Sequence, residues 1–216
     1  SSSSGDISLT GTTTDGYGVI IQDSATINSE TGIINIDGTT KSTTVGRDGV
    51  YLKKTSLVTS GDADITVKGR TTNSSAAGIV VSTGTVTFGG SEYTGTIVLD
   101  SDLLDITGPL HFYGNLDIVP DAKTTAINLF APAESFYLTK TSIENIESKG
   151  DGKVTIGIDE GAHTISIGDS GNYSLEYDLT LQGKDITVEK GFVGDVIFKI
   201  GQAGNGSLVM EEAVTG

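Results

Sequence analysis

Carboxylates are the residues in this chain that could most readily do chemistry. Three clusters bring them together in sequence: Asp62 with Asp64, Asp100 with Asp102 and Asp105, and Asp159 with Glu160. Two or three carboxylates on one face, or an Arg or Lys base beside calcium ligands, are what cleavage of a polysaccharide requires. Each cluster sits in or next to a turn, however, where Asp ordinarily accepts backbone N–H bonds. Solvated turns are therefore the reading taken for all three. Asp100-Ser101-Asp102-Leu103-Leu104-Asp105 also invites calcium, but it lacks the glycine and terminal glutamate of an EF-hand loop. Gly201-Gln202-Ala203-Gly204-Asn205-Gly206 lacks the aspartate of a calcium-binding β-roll.

The other reactive types are sparse. His111 and His163 are solitary, without a second histidine at ligand spacing, so each reads as an ordinary strand or loop residue. The absence of Cys removes thiol nucleophiles, disulfides and Cys-based metal sites. No nucleophile elbow, P-loop or dinucleotide fingerprint is present despite 30 Gly. Thr85-x-Thr87 has the form of an ice-binding element but does not recur in neighbouring repeats. Tyr17 and Tyr51 fall near one corner and could touch a glycan. No catalytic, cofactor-binding or metal-ligating residue is assigned, no cofactor is expected, and the chain is not read as an enzyme.

Composition narrows the class further. With 28 acidic and 13 basic residues the net charge is -15, which opposes nucleic-acid binding. No apolar run approaches the roughly 18–20 residues of a membrane-spanning helix, and no signal peptide opens the chain. The start at Ser1 to Ser4, without Met, reads as a cut within a larger protein. Ile, Val and Leu set among Thr, Ser, Gly and Asp favour strands over helices. A hydrophobic share of 36% in regular patches argues against disorder.

These patches repeat. Ile7-x-Leu9-x-Gly11 returns as Ile34-x-Ile36-x-Gly38 and as Ile65-x-Val67-x-Gly69, at steps of 27 and 31 residues. Gly18-Val19-Ile20-Ile21, Gly49-Val50-Tyr51-Leu52 and Gly78-Ile79-Val80-Val81 form a second series. Thr26-Ile27, Leu57-Val58 and Val86-Thr87-Phe88 form a third. Apolar residues two apart mark half-buried strands. Three such strands in constant order at a long period predict an all-β chain, a right-handed parallel β-helix with about three strands per coil and coils of roughly 27–32 residues. Loops at Thr39 to Arg47 and Arg70 to Ala77 fall at one corner, and glycines at the corners are expected to permit backbone angles that a Cβ forbids.

Residues 1–130 read as regular coils and 131–216 as less regular ones, about seven in all, within a fragment of a much larger protein. Leu116-x-Ile118, Ile127-x-Leu129, Val154-x-Ile156, Ile165-x-Ile167, Leu179-x-Leu181, Ile186-x-Val188 and Val196-x-Phe198 continue the strand pattern. Pro109, Pro120 and Pro132 predict longer loops or edge strands between Gly90 and Tyr137. Thr141-x-x-Glu144 reads as a capping box, with a short helix near 141–148.

Gly5-Asp6-Ile7-Ser8-Leu9-Thr10-Gly11 followed by Gly18-Val19-Ile20-Ile21-Gln22, and Ser60-Gly61-Asp62-Ala63-Asp64-Ile65-Thr66-Val67-Lys68-Gly69 followed by Gly78-Ile79-Val80-Val81-Ser82, resemble repeats of filamentous-haemagglutinin-type exoproteins. The stretches Tyr137-Leu138-Thr139, Val154-Thr155-Ile156-Gly157 and His163-Thr164-Ile165-Ser166-Ile167-Gly168 resemble later segments of the same family. These are large adhesins of Gram-negative bacteria with β-helical shafts, exported by two-partner secretion. The resemblance implies a structural or adhesive segment at the cell surface or in the medium. It also implies a dedicated outer-membrane secretion partner, and host or neighbouring-cell glycans or proteins as ligands. A monomeric fragment is expected, with no nucleic acid and no transmembrane segment. A carbohydrate-active β-helix enzyme and a phage fibre or tailspike segment are the alternative readings.

Overall fold

The computed structural model describes residues 5–59, 61–74, 76–130, 136–158, 162–168, 175–189, 196–200 and 206–210. The chain is almost wholly β, its ladders are parallel, and one short helix interrupts it. The first repeat supplies β1 (Ile7–Thr13), β2 (Val19–Ile21) and β3 (Thr26–Ser29). The second supplies β4 (Ile34–Thr40), β5 (Val50–Leu52) and β6 (Thr55–Thr59). The third supplies β7 (Ile65–Thr71), β8 (Ile79–Val81) and β9 (Val86–Phe88). The three series expected from the sequence are thus three strands per circuit, in the expected order. A fourth circuit holds β10 (Thr96–Ser101), β11 (Leu104–Ile106) and β12 (Leu110–Phe112).

Each strand pairs with its counterpart one circuit away, because inward aliphatic residues then stack upon one another. One column runs Ile7, Ile34, Ile65, Ile97, and its neighbour runs Leu9, Ile36, Val67, Leu99. Ile34, Ile65, Ile97 and Leu99 are fully buried. A third column places Phe88 between Leu57 and Phe112. Burying one such side chain contributes roughly 1.5–3 kcal/mol, and the columns repeat that gain in every circuit.

The later chain is built differently. β13 (Asn115–Pro120) follows β12 after a two-residue turn, so the step from Ile97 to Leu116 is only 19 residues. Then come β14 (Ile127–Leu129), β15 (Phe136–Leu138), α1 (Lys140–Glu144) and β16 (Ile146–Ser148). β17 (Val154–Gly157) with β18 (Thr164–Ile167), β19 (Leu179–Gly183) with β20 (Asp185–Val188), and β21 (Val196–Ile200) with β22 (Ser207–Met210) complete the described strands. Three sheets serve the early circuits. The later circuits use two, the second being β15-β14-β18-β20-β22. The first sheet runs unbroken as β1-β4-β7-β10-β13-β17-β19-β21. Those eight strands exceed the expected seven coils because the period contracts, reaching 17 residues between Leu179 and Val196. At about 4.8 Å per step the sheet extends roughly 34 Å.

Three expectations change in detail. The helix begins earlier and is shorter: the Thr139 hydroxyl, not Thr141, accepts the Ser142 N–H at 3.0 Å. Residues 146–148 form a strand because Ile146 stacks on Leu110. The α1 segment packs on β11, the last strand of its sheet, and occupies the side of the circuit where a further strand would lie. Pro120 closes an interior strand, not an edge one. The Leu116 N–H donates toward β17, so by alternation the Pro120 nitrogen faces β17 beyond Ile118↔Ile156, where that ladder has ended. Pro109 precedes β12 and its carbonyl accepts the Val86 N–H, while Pro132 lies outside the described residues.

Glycines at the corners supply the expected backbone angles, and the repeated series adds a second role. Positive φ angles occur at Gly46, Gly61, Gly84, Gly89, Gly114 and Gly157, none of them in the Gly11, Gly38, Gly69 series. That series allows close approach: a Cβ on any of the three would overlap the backbone of Gly18, Gly49 or Gly78 respectively.

Candidate functional site

The corner between the first and second sheets varies most from circuit to circuit. Residues 41–49 fill it between β4 and β5, and 72–78 fill it between β7 and β8. Between β10 and β11 only Asp102 and Leu103 make the turn. After β13 the chain again runs wide, through 121–126. One short turn between longer neighbours leaves a gap. It opens as a groove of ≈ 870 Å³ bordered by Thr71, Ser74, Asp102, Leu103, Asp121 and Tyr137. A second hollow of ≈ 460 Å³ shares Ser74, Ala76, Leu103 and Tyr137 with it and continues over the outer face of β8 and β11 to Asp48, Ser82, Asp105 and Ser142.

Charge in the groove is largely committed. The Arg70 guanidinium donates to Asp100 Oδ1 at 2.6 Å and to Asp121 Oδ1 at 2.5 Å, and to the Asp100 carbonyl at 2.8 Å. Asp102 accepts the Thr71 N–H at 2.8 Å and the Leu103 N–H at 3.0 Å. Burial pushes its carboxyl above the usual range, the two N–H bonds and the Arg70 charge pull it down, and Asp121 adds to the rise. Asp48 is 5% exposed and accepts the Ala77 N–H at 3.0 Å. Burial raises its carboxyl first, the Ala77 bond opposes this, and Asp105 reinforces it. Asp105 points outward from β11 and is the open member of the set.

The structure separates the carboxylates that the sequence grouped. Asp100 faces Arg70, Asp102 caps backbone, and Asp105 lies on the next strand. Asp64 accepts the Thr96 N–H of the following circuit at 3.1 Å, and Asp62 is exposed beside it. Asp6 does the same for Ile33 at 3.0 Å, and Asp185 for Ser207 at 2.9 Å. An aspartate just before or at the start of a strand thus tethers the entry of the next circuit, which is the turn role expected for Asp64. Asp159 and Glu160 lie outside the described residues, as do Gly201 to Asn205. Among the described residues no three His, Asp or Glu side chains converge as metal ligands would.

His111 on β12 faces Glu147 on β16 at 3.2 Å, and Lys149 contacts the same carboxylate at 2.5 Å. Burial lowers His111 below its usual value, Lys149 lowers it further, and Glu147 only partly restores it. Glu147 itself is lowered, chiefly by its bond from Lys149. His163 is fully buried, its ring nitrogens facing the Lys123 carbonyl at 3.2 Å and the Gln182 carbonyl at 2.6 Å, so it ties three successive circuits. Tyr17 and Tyr51 pack together with ring centroids 5.0 Å apart, Arg47 lies over Tyr17, and the Tyr51 hydroxyl donates to Ser82 Oγ at 2.9 Å. Thr87 stands between Ser56 and His111 in its ladder, so no threonine column forms.

Asp48, Arg70, Asp121 and Tyr137 escaped the sequence reading because nothing local marks them. The usable signal was loop length: the corner shrinks to two residues after Ser101 while its neighbours stay long. No protein-family model, curated protein or solved structure matches the chain. Among the described residues no helix is long and apolar enough to cross a membrane.

Proposed function

We propose that this chain is a segment of a right-handed parallel β-helical shaft in a large bacterial adhesin of the filamentous-haemagglutinin type, extracellular or displayed on the cell surface. In this reading its work is mechanical: stacked ladders stiffen a rod, and the variable corner presents contacts to host or neighbouring-cell molecules. Export would use a dedicated outer-membrane partner. The observation that supports it best is the first sheet, whose eight strands keep one parallel register while their inward aliphatic side chains stack.

Electron microscopy of the parent protein should show a thin rod, and antibodies against the chain should label intact producing cells or their medium. A globular, intracellular parent would overturn the reading. Release of reducing or unsaturated ends from polysaccharides would replace it with the enzyme alternative, and a stable trimer by light scattering with the fibre alternative.

A further inference from the structure

We infer that the groove at the shortened corner binds a stretch of neutral oligosaccharide. The two hollows, ≈ 870 and ≈ 460 Å³, adjoin through their shared lining of Ser74, Ala76, Leu103 and Tyr137 and together offer room for several sugar units. Common to both is Tyr137, half-buried on β15, whose ring offers the apolar face on which a sugar stacks. Around it stand hydroxyls and carboxylates, Ser74, Thr71, Ser82, Asp102, Asp105 and Asp121, which accept the hydrogen bonds that sugar hydroxyls donate.

Other ligand classes fit less well. No Lys or Arg is among the described residues that line either hollow, and Arg70 is spent on Asp100 and Asp121, so the lining carboxylates disfavour a uronate, sulfated or phosphorylated chain. Metal ions lack a converging set of ligands among the described residues. A peptide cannot join as an added strand, because α1 and β15 cover β11 at the end of its sheet.

The groove stands on its own geometry and does not depend on the shaft reading. A panel of neutral hexose, deoxyhexose and N-acetylhexosamine oligomers, set beside uronate and sulfated oligomers and a Lys-rich peptide, tests it by array and calorimetry. Binding to a neutral oligomer is expected, weakened at least tenfold by Tyr137→Ala and by Asp105→Asn, and abolished by Ser74→Trp, which fills the groove from an exposed position. Unchanged thermal midpoints in these variants separate lost binding from lost fold. Absence of neutral-oligomer binding, preference for the acidic oligomers or the peptide, or affinity indifferent to both Tyr137→Ala and Ser74→Trp overturns the proposal.

Discussion

Gly38 and Gly49 meet backbone to backbone where the second circuit leaves the first sheet and returns to the second, so closely that a Cβ on Gly38 would overlap the Gly49 carbonyl oxygen. Gly11 with Gly18 and Gly69 with Gly78 repeat the contact in the adjoining circuits. This pinch lets residues 41–49 project as a loop without parting the two sheets.

Gly38→Ala is therefore expected to destabilise by about 3 kcal/mol, since the obstruction is backbone and cannot swing aside. Gly90→Ala, where the nearest atom is Val58 Cγ1 at 3.6 Å, should change stability by less than about 0.5 kcal/mol. Urea titration of the pair decides it; equal midpoints would refute the close-approach role.

Arg70 joins β7, β10 and the segment after β13. Arg70→Ala should lower stability by about 2 kcal/mol, because its bonds to Asp100 are only partly exposed. Lys at the same place should recover little, lacking the fork that reaches two carboxylates. Asp121→Ala should cost under about 1 kcal/mol, its side chain being 49% exposed. Denaturant midpoints at low and high salt would check the order.

The columns of the core predict a gradient along the stack. Ile36→Ala should cost about 2–5 kcal/mol, and Leu9→Ala, one circuit outward in the same column, about 1 kcal/mol. Comparable losses at both sites would mean that Leu9 is buried in solution by something that stacks on β1.

Asp48 carries a testable pH signature. Its carboxyl is raised in the folded chain, so folding favours the protonated form, and the penalty for its charge, present at neutral pH, is relieved as pH falls through the folded value. Asp48→Asn keeps an acceptor for the Ala77 N–H and removes that charge. It should raise the melting temperature at pH 7 by a few degrees, and the gain should shrink on acidification. A gain independent of pH would assign the effect to packing instead.

Much of the architecture follows from the order of residues alone. Apolar residues two apart, recurring three times in the same succession, specify β1 to β9, because period-two patterning decides which face is buried and stacking like on like decides the partner. The two-carboxylate and turn logic was equally local: Asp64 caps backbone as any turn aspartate does. Beyond Gly90 the period fails as a guide. Leu104–Ile106, Leu110–Phe112, Phe136–Leu138 and Ser207–Met210 are strands too short or too irregularly spaced to declare themselves, and they exist because a neighbouring circuit offers a ladder and a buried column. The groove belongs wholly to tertiary structure. Asp48 comes from the second circuit, Asp102 from the fourth, and Asp121 and Tyr137 from the stretch between β13 and β17, and only the stacking of long corners on either side of a two-residue turn brings them to the two joined hollows.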